Sequence, residues 1–505
     1  MPIRPPSEDD VREMGEELFL DLTPDEVEFY HEQLTGNLEE YEMIQSYDPE
    51  PRGPITRTRP RNPGTRLDDD EDPHNAWVTK CEVKGDEEGP LSDWEVAIKD
   101  NVAVAGVEMT CGSNVVEGYV PNADATVVSR LLEAGADIVG KTNMDDMAVT
   151  RVGHTAFGPI TNPRDDDYLA GGSSGGSAVA VAEGEADAAI GSDQGGSIRI
   201  PASLCGIVGH KPTYGLVPYT GCVGLEHTID HPGPMTPDVE TAAKMLTEIA
   251  GSNAAHLRRP TDVPTERYEE ALDGDVSELS VGVLEEGFDK PNGDPGVDEQ
   301  VRDAIDLLEE RGATVEDVSI PLHEDADTIH KICTNEGLVA AMMGQGVGHG
   351  WKAWYSTSWV EAFGKFQRAQ GYDFPPNLKL KLLQGLYTLS RYHSRYYAAG
   401  MNLMLELAET YDAALEEYDV LAMPTTDVTA PEHDPDRDAF DRLLETDVPA
   451  NTSPFNRTGH PAISVPAGEV DGLPIGLMLV GARFEDATVL NAGYAVEQAR
   501  GETGT

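Results

Sequence analysis

"GGSSGGSAVAVAEGEADAAIGSDQGGSIRIPASLCGIVGHKPT", residues 171–213, decides how the rest of the chain is read. It holds two glycine-framed serine clusters, GGSSGG at 171–176 and DQGGSIR at 193–199, separated by a run of small residues. Three serines compete for chemistry: Ser173, Ser174 and Ser197. Short patterns here and nearby fail on context. GGSSG has the letters of a nucleophile elbow, which needs a hydrophobic strand just before it, but the polar TNPRDDDYLA precedes it. GADIVGKT (135–142) has the letters of a phosphate loop. Such a loop follows a strand and opens a helix, whereas here a helix-like segment comes first and ADIV itself reads as the strand. EHTIDH (226–231) spaces His227 and His231 four apart, but prolines follow at 232 and 234. The residue before a proline is steered away from helical geometry, so this segment reads as a loop that lines or braces a site, and no metal is expected. GQGVGHG (344–350) lacks dinucleotide-loop spacing and reads as a turn.

Outward from this stretch, β-rich runs alternate with helical ones: WEVAIKD, DATVVSRLLEAG and ADIVGKT before it, then LSVGVLEE, VDEQVRDAIDLLEERG and TVEDVSIP across 279–321. That alternation predicts an α/β fold with a buried mixed sheet. Residues 325–418 read as mainly helical. At the N-terminus, residues 7–47 read as two amphipathic helices. Ser7 with Asp10 makes a capping-box start ahead of Val11, Met14 and Leu18. Thr23-Pro24 opens the second helix, with Val27, Tyr30, Leu34, Leu38 and Tyr41 as its stripe. These stripes need a partner surface, either the parent domain or another copy of the chain. Residues 46–73 are rich in proline and charge and read as a linker or draped arm. The expected division is 1–75 for a helical arm and linker and 76–505 for the main domain.

Charge is the outlier in composition. Ninety-two acidic residues face 36 basic ones, a net charge of -56, although the charged fraction of 25% is ordinary. Apolar blocks such as LPIGLMLVG argue against disorder, so the surface reads as one adapted to concentrated salt, where the Debye length falls to about 3 Å at 1 M. Phosphate backbones would be repelled, so no direct nucleic-acid binding is expected. The five cysteines form no CxxC pair and are odd in number, as suits reduced thiols in the cytoplasm. No export signal or apolar run of spanning length is legible.

Taken whole, 171–213 resembles the amidase signature family, whose defining segment is a Gly/Ser-rich loop, a small-residue helix and then GxDxGGSxRxPAxxCGxxGxKPT. The resemblance continues in VAIKDN (96–101), GKTNMDD (140–146), FNRTGHPAISVPAG (455–468) and GLPIGLMLVG (472–481), and so covers roughly residues 76–500. It implies a large mixed sheet covered by helices, and hydrolysis of amides through a Ser-cisSer-Lys triad without cofactor. Ser197 then matches the nucleophile, Ser173 the bridging serine on a cis peptide, and Lys99 the base. The backbone N–H groups of Gln194, Gly195, Gly196 and Ser197 would form the oxyanion hole. Ser174 would be a neighbouring hydrogen bonder, with Asp193 and Arg199 bracing the loop.

The residues support this chemistry by themselves. Amide hydrolysis needs a nucleophile, a base that later serves as acid, and donors for the oxyanion. Glycines in DQGGS allow several N–H groups to converge beside a hydroxyl. No histidine obviously completes a Ser-His-Asp set. Lys99 ends the apolar run VAI, and a lysine buried there can lose its proton near neutral pH.

SDQGGSIRIPAS with Gln194, KPTYGLVPYTG (211–221) and TIDHPGPMT (228–236) resemble the enantioselective amidase branch, which acts on aliphatic and arylalkyl amides. A helical N-terminal extension contributes to dimer packing there. This implies a homodimer acting on a small-molecule amide and releasing ammonia. The alternative is the A subunit of a glutamine-dependent tRNA amidotransferase, which usually lacks the arm and typically has threonine at the position of Gln194. The acyl pocket is expected within 325–418, where Trp351, Trp354, Tyr355, Trp359 and Phe363 either shape it or form ordinary core.

Overall fold

The structure, a computed structural model, describes residues 3–47, 60–68, 70–253, 263–349, 353–437 and 448–503. Twelve strands form one mixed sheet, and their order explains how distant residues meet. In chain order they are β1 (Arg61–Thr65), β2 (Trp77–Val83), β3 (Glu95–Lys99), β4 (Asp137–Thr142), β5 (Ala188–Asp193) and β6 (Val208–Lys211). Then come β7 (His231–Thr236), β8 (Ser280–Leu284), β9 (Thr314–Val318), β10 (Val420–Pro424), β11 (Ala462–Val470) and β12 (Leu473–Gly481). Across the sheet the order is β1-β2-β4-β3-β5-β7-β6-β11-β12-β10-β8-β9.

Strand β3 runs parallel to both β4 and β5, so the carboxyl ends of all three lie on one edge. Val96, Ala97 and Ile98 are fully buried, the near-continuous apolar run expected of a strand covered on both faces. Val96 and Ile98 share a core cluster with Val127, Val128 and Leu131 of the helix Thr126–Glu133. Ala97 points to the other face, into a cluster with Ala178 and Ala180 of the helix Gly175–Ala182. Small residues on that helix let it lie close to the alanines of β3 and β5.

The expected strand-helix-strand at 279–321 is β8, the helix Pro295–Glu310 and β9, with the two strands parallel. The predicted helical region contains His323–Met343, Thr357–Gln370, Pro376–Tyr392 and Arg395–Ala414. Trp359 and Phe363 stack at 5.3 Å between ring centroids and are buried in core. Trp351 lies outside the described residues.

Two expectations change. The segment read as linker contains β1, which pairs antiparallel with β2. Arg61 fixes this edge strand by gripping Asp124 with two nitrogens, at 2.8 and 2.6 Å. The sheet therefore begins before residue 76; residues 48–59 and 69 of that segment lie outside the described residues. The N-terminal unit, residues 1–52, holds three helices rather than two: Glu8–Glu17, Pro24–Gly36 and Leu38–Tyr47. Both capping boxes form, Ser7 with Asp10 and Thr23 with Glu26. The second helix stops at Gly36-Asn37, two poor helix formers in succession, which divides the stripe from Val27 to Tyr41. No helix among the described residues is long and apolar enough to cross a membrane.

Candidate active site

Because β3, β4 and β5 are parallel neighbours, their carboxyl ends deliver three things to one place: Lys99, the segment from Asn143 to Asp146, and the loop from Gln194 to Ile198. The carboxyl edge of parallel strands is where α/β sheets commonly place ligands. The serine cluster at 171–176 arrives by another route. The helix Gly175–Ala182 runs away from it and β5 returns, so both glycine-framed loops end at the same edge. A backbone bond from Ser174 N–H to Ser197 C=O (3.2 Å) ties them together.

Lys99 is fully buried, and its Nζ donates to Ser173 Oγ at 2.8 Å and to the Ser192 carbonyl at 3.1 Å. Burial pulls its pKa down to about 7, against the opposing charges of Asp145 and Asp193. A neutral amine in this contact can instead accept the Ser173 proton. The Gly172–Ser173 peptide is cis. Gly172 leaves room for Asp145, since a Cβ there would collide with the Asp145 carboxylate. Asp145 in turn receives the N–H groups of Val152 and Gly153 and the Thr150 hydroxyl, and gives its own N–H to Ser173 C=O at 3.2 Å. Burial raises its carboxyl to about 6, with those hydrogen bonds and Lys99 pulling the other way.

The DQGGS turn is held from behind by a buried carboxylate. Arg199 grips Asp193 through Nε (3.0 Å) and Nη2 (3.1 Å), and Asn456 Nδ2 adds a bond of 2.8 Å. Burial would raise the Asp193 carboxyl, but Arg199 and Asn456 outweigh it and hold it far below the usual range. Asp193 Oδ1 also receives the Gly196 N–H at 2.6 Å. In this arrangement the Gly196 amide helps to shape the turn. The N–H groups of Gln194, Gly195 and Ser197 have no protein acceptor among the described residues. Gly196 sits at φ +121, and a Cβ on it would run into the Thr452 hydroxyl.

Ser197 lines a cavity of about 280 Å³ together with Gln194, Gly195, Arg151 and His330. Its hydroxyl makes no hydrogen bond among the described residues; such contacts are often long before substrate binds. Gln194 is anchored through Nε2 to Tyr219 Oη at 3.0 Å. Ser174 Oγ donates to Ser192 C=O (3.2 Å) and accepts from Ser192 N–H (3.3 Å).

A family model described as Amidase matches residues 72–490. The chain belongs to the amidase signature family. It is 40% identical over 517 residues to the enantioselective amidase of Rhodococcus rhodochrous, covering 99% of this chain and 96% of that one. It is 43% identical over 429 residues to the A subunit of the glutamyl-tRNA(Gln) amidotransferase of Natronomonas pharaonis, covering 84% of this chain and 99% of that one. Among solved structures, the A subunit of the glutamyl-tRNA(Gln) amidotransferase of Thermotoga maritima superposes with a TM-score of 0.70 at 34% identity, covering 85% of this chain and 88% of that one.

Within this amidase fold, the sequence missed several residues around the site. Asp145 and Asn456 stood inside quoted motifs, but nothing local showed that they meet Ser173 and Asp193. Arg151 and His330 flank Gly195, and only the fold brings them there: a Cβ on Gly195 would stand 3.1 Å from His330 Nε2 and 3.3 Å from Arg151 Nη2. Of the aromatic residues read as either pocket or core, the described Trp354, Tyr355, Trp359 and Phe363 are not part of the Ser197 cavity lining, and Trp359 and Phe363 are core. Trp354, Tyr355 and Trp359 border a separate small cavity with Tyr119 and His227. His227 bonds the Val347 carbonyl, and His231 lies in β7 with Nδ1 on the Ile229 carbonyl at 2.7 Å.

Proposed function

We propose that the chain is a serine amide hydrolase that releases ammonia from a primary carboxamide. Ser197 is the nucleophile, Ser173 the proton bridge and Lys99 the base. The observation that carries this reading is the buried Lys99 amine, poised near neutrality and hydrogen-bonded to Ser173. On attack, the Ser197 proton passes through Ser173 to Lys99 as the O–C bond forms. The N–H groups of Gln194, Gly195 and Ser197 are the donors at hand for the tetrahedral oxyanion. The proton returns to the departing nitrogen as the C–N bond breaks, leaving ammonia and an acyl-enzyme. Water then repeats the cycle and frees the carboxylic acid.

The free-standing enzyme is favoured by the arm: the match to the Rhodococcus amidase takes in 99% of this chain, the match to the Natronomonas amidotransferase 84%. On this reading two copies associate and act in the salt-rich cytoplasm that the acidic surface suits. A second reading, the glutaminase component of a tRNA amidotransferase, is favoured by the higher identity, 43% against 40%. The test is ammonia release by the purified chain in molar KCl, from simple amides and from glutamine, with its mass measured by light scattering. The amidase reading expects turnover of simple amides by a homodimer, abolished in Ser197→Ala. Inertness alone, with ammonia released from glutamine once a partner protein is added, establishes the second reading instead.

A further inference from the structure

Gln194 and His330 both line the Ser197 cavity, and both are nearly fully buried. Each holds one polar atom that finds no hydrogen-bond partner among the described residues, Gln194 Oε1 and His330 Nδ1. Their neighbours decide the chemistry of those atoms. The Tyr219 hydroxyl donates to the Val223 carbonyl at 3.0 Å, so it meets the Gln194 side chain with a lone pair. Gln194 therefore turns its NH2 group to Tyr219, at 3.0 Å, and Oε1 is left as an acceptor. The Thr334 hydroxyl donates to the His330 carbonyl at 2.8 Å and accepts from Arg457 Nη2 at 3.0 Å. Its remaining lone pair takes the proton on His330 Nε2, at 3.3 Å, and Nδ1 is a bare acceptor. Burial, helped by the charges of Arg457 and Arg151, holds this imidazole well below its ordinary pKa and keeps it neutral. The two side chains flank Gly195: Gln194 precedes it in the chain, and a Cβ on Gly195 would stand 3.1 Å from His330 Nε2. Buried acceptors without donors are rare in folded proteins and costly to keep.

We propose that the Gln194 and His330 side chains read the NH2 group of the substrate, so that the site selects a primary carboxamide against the ester of the same acid. The proposal rests on Ser197 being the nucleophile toward an amide. The cavity offers donors in the N–H groups of Gln194, Gly195 and Ser197, and beside them these two acceptors. A primary carboxamide matches both sets at once. Its oxygen takes the N–H groups, and its two N–H bonds go to Gln194 Oε1 and His330 Nδ1. A methyl ester brings oxygens alone, and both buried acceptors stay unpaired. A site built to hydrogen-bond a substrate N–H rejects the analogue that lacks it, because the stranded groups can no longer turn to water. These contacts join neutral groups, so concentrated salt does not screen them.

The test pairs butyramide with methyl butyrate and benzamide with methyl benzoate. Calorimetry on Ser197→Ala in molar KCl reads binding without turnover, and ammonia release by the native enzyme reads turnover of the two amides. Each amide is expected to bind at least about tenfold tighter than its ester. In the Ser197→Ala background, Gln194→Met and His330→Phe should each cut that ratio at least about threefold, by weakening the amide and not the ester. A substitution that merely loosens the cavity weakens both ligands alike, and that outcome for both variants overturns the proposal. So does equal binding of amide and ester by Ser197→Ala itself, which needs no second substitution, or failure to bind either amide. A binding preference for the amides without turnover of either would instead sink the assignment of Ser197 and leave the two acceptors standing.

Discussion

Replacing Lys99 with methionine removes the amine while keeping an unbranched side chain of similar length. The structure sets two magnitudes. In catalysis, loss of a general base typically costs about 10²–10⁴-fold in rate, so kcat/KM of Lys99→Met should fall within that range or further. In stability, burial moves the amine from its ordinary 10.5 to about 7, which corresponds to roughly 5 kcal/mol disfavouring the protonated native state. The folded pKa lies below the unfolded one. The penalty is therefore full below about pH 7, shrinks as the pH rises, and is gone above about 10.5. One proton changes stability by about 1.4 kcal/mol per pH unit across that window. Methionine lacks the slope and strands Ser173 Oγ, at about 1–3 kcal/mol, while the Ser192 carbonyl keeps its bond from Ser174 Oγ. The amine's burial penalty is the larger at neutral pH, so Lys99→Met should be the more stable there, and the wild type should gain on it as the pH rises. Lys211, also pulled to about 7 by burial, is present in both proteins and drops out of the difference. The assays are urea unfolding of both proteins from pH 7 to 10 in concentrated salt, and the pH profile of ammonia release. Wild-type kcat/KM should climb through pH 7 to a plateau. A variant rate within tenfold of wild type with the inflection retained, or a stability difference that ignores pH, would refute the argument.

Gly196→Ala should lower Tm and activity together, since the backbone strain at φ +121 costs about 1–3 kcal/mol before the collision with Thr452 is counted; a thermal melt near wild type would contradict it. Asp193→Asn leaves Arg199 buried beside a neutral partner and is expected to cost about 3–5 kcal/mol in urea unfolding, with activity lost as the DQGGS turn loosens. Dilution from molar salt to 0.1 M, where the Debye length grows to about 10 Å, should unfold the chain through repulsion among its carboxylates, followed by circular dichroism; full stability in dilute buffer would remove the salt-adapted reading.

Much of the site was legible because its residues sit in compact motifs. Ser173, Ser174, Asp193, Gln194 and Ser197 fall within one stretch, and Lys99 ends an apolar run whose burial follows from composition. The α/β alternation around them was readable for the same reason, since local periodicity reports which face is buried. The rest depended on long-range meetings that no local pattern encodes. Asn456 reaches Asp193 across 263 residues of sequence, and Asp327 holds Arg151 across 176. β1 escaped notice because an edge strand with proline and glycine carries no alternating signal, and its anchor to Asp124 is 63 residues away.

The sequence by itself determined the fold class, the glycine-framed loops and the residue types able to hydrolyse an amide, because these rest on local periodicity and on the chemistry of single side chains. The tertiary structure decided which of these groups meet. Parallel pairing of β3 with β4 and β5 set Lys99 beside Ser173, and burial there brought its amine near neutrality. Asp193 drew the Gly196 amide into the turn that carries Ser197. The packing of two distant helices against the loop at 148–151 brought Arg151, Lys331 and Lys381 into the lining of the Ser197 cavity. Charge and desolvation depend on distances in space, and only the folded chain sets those.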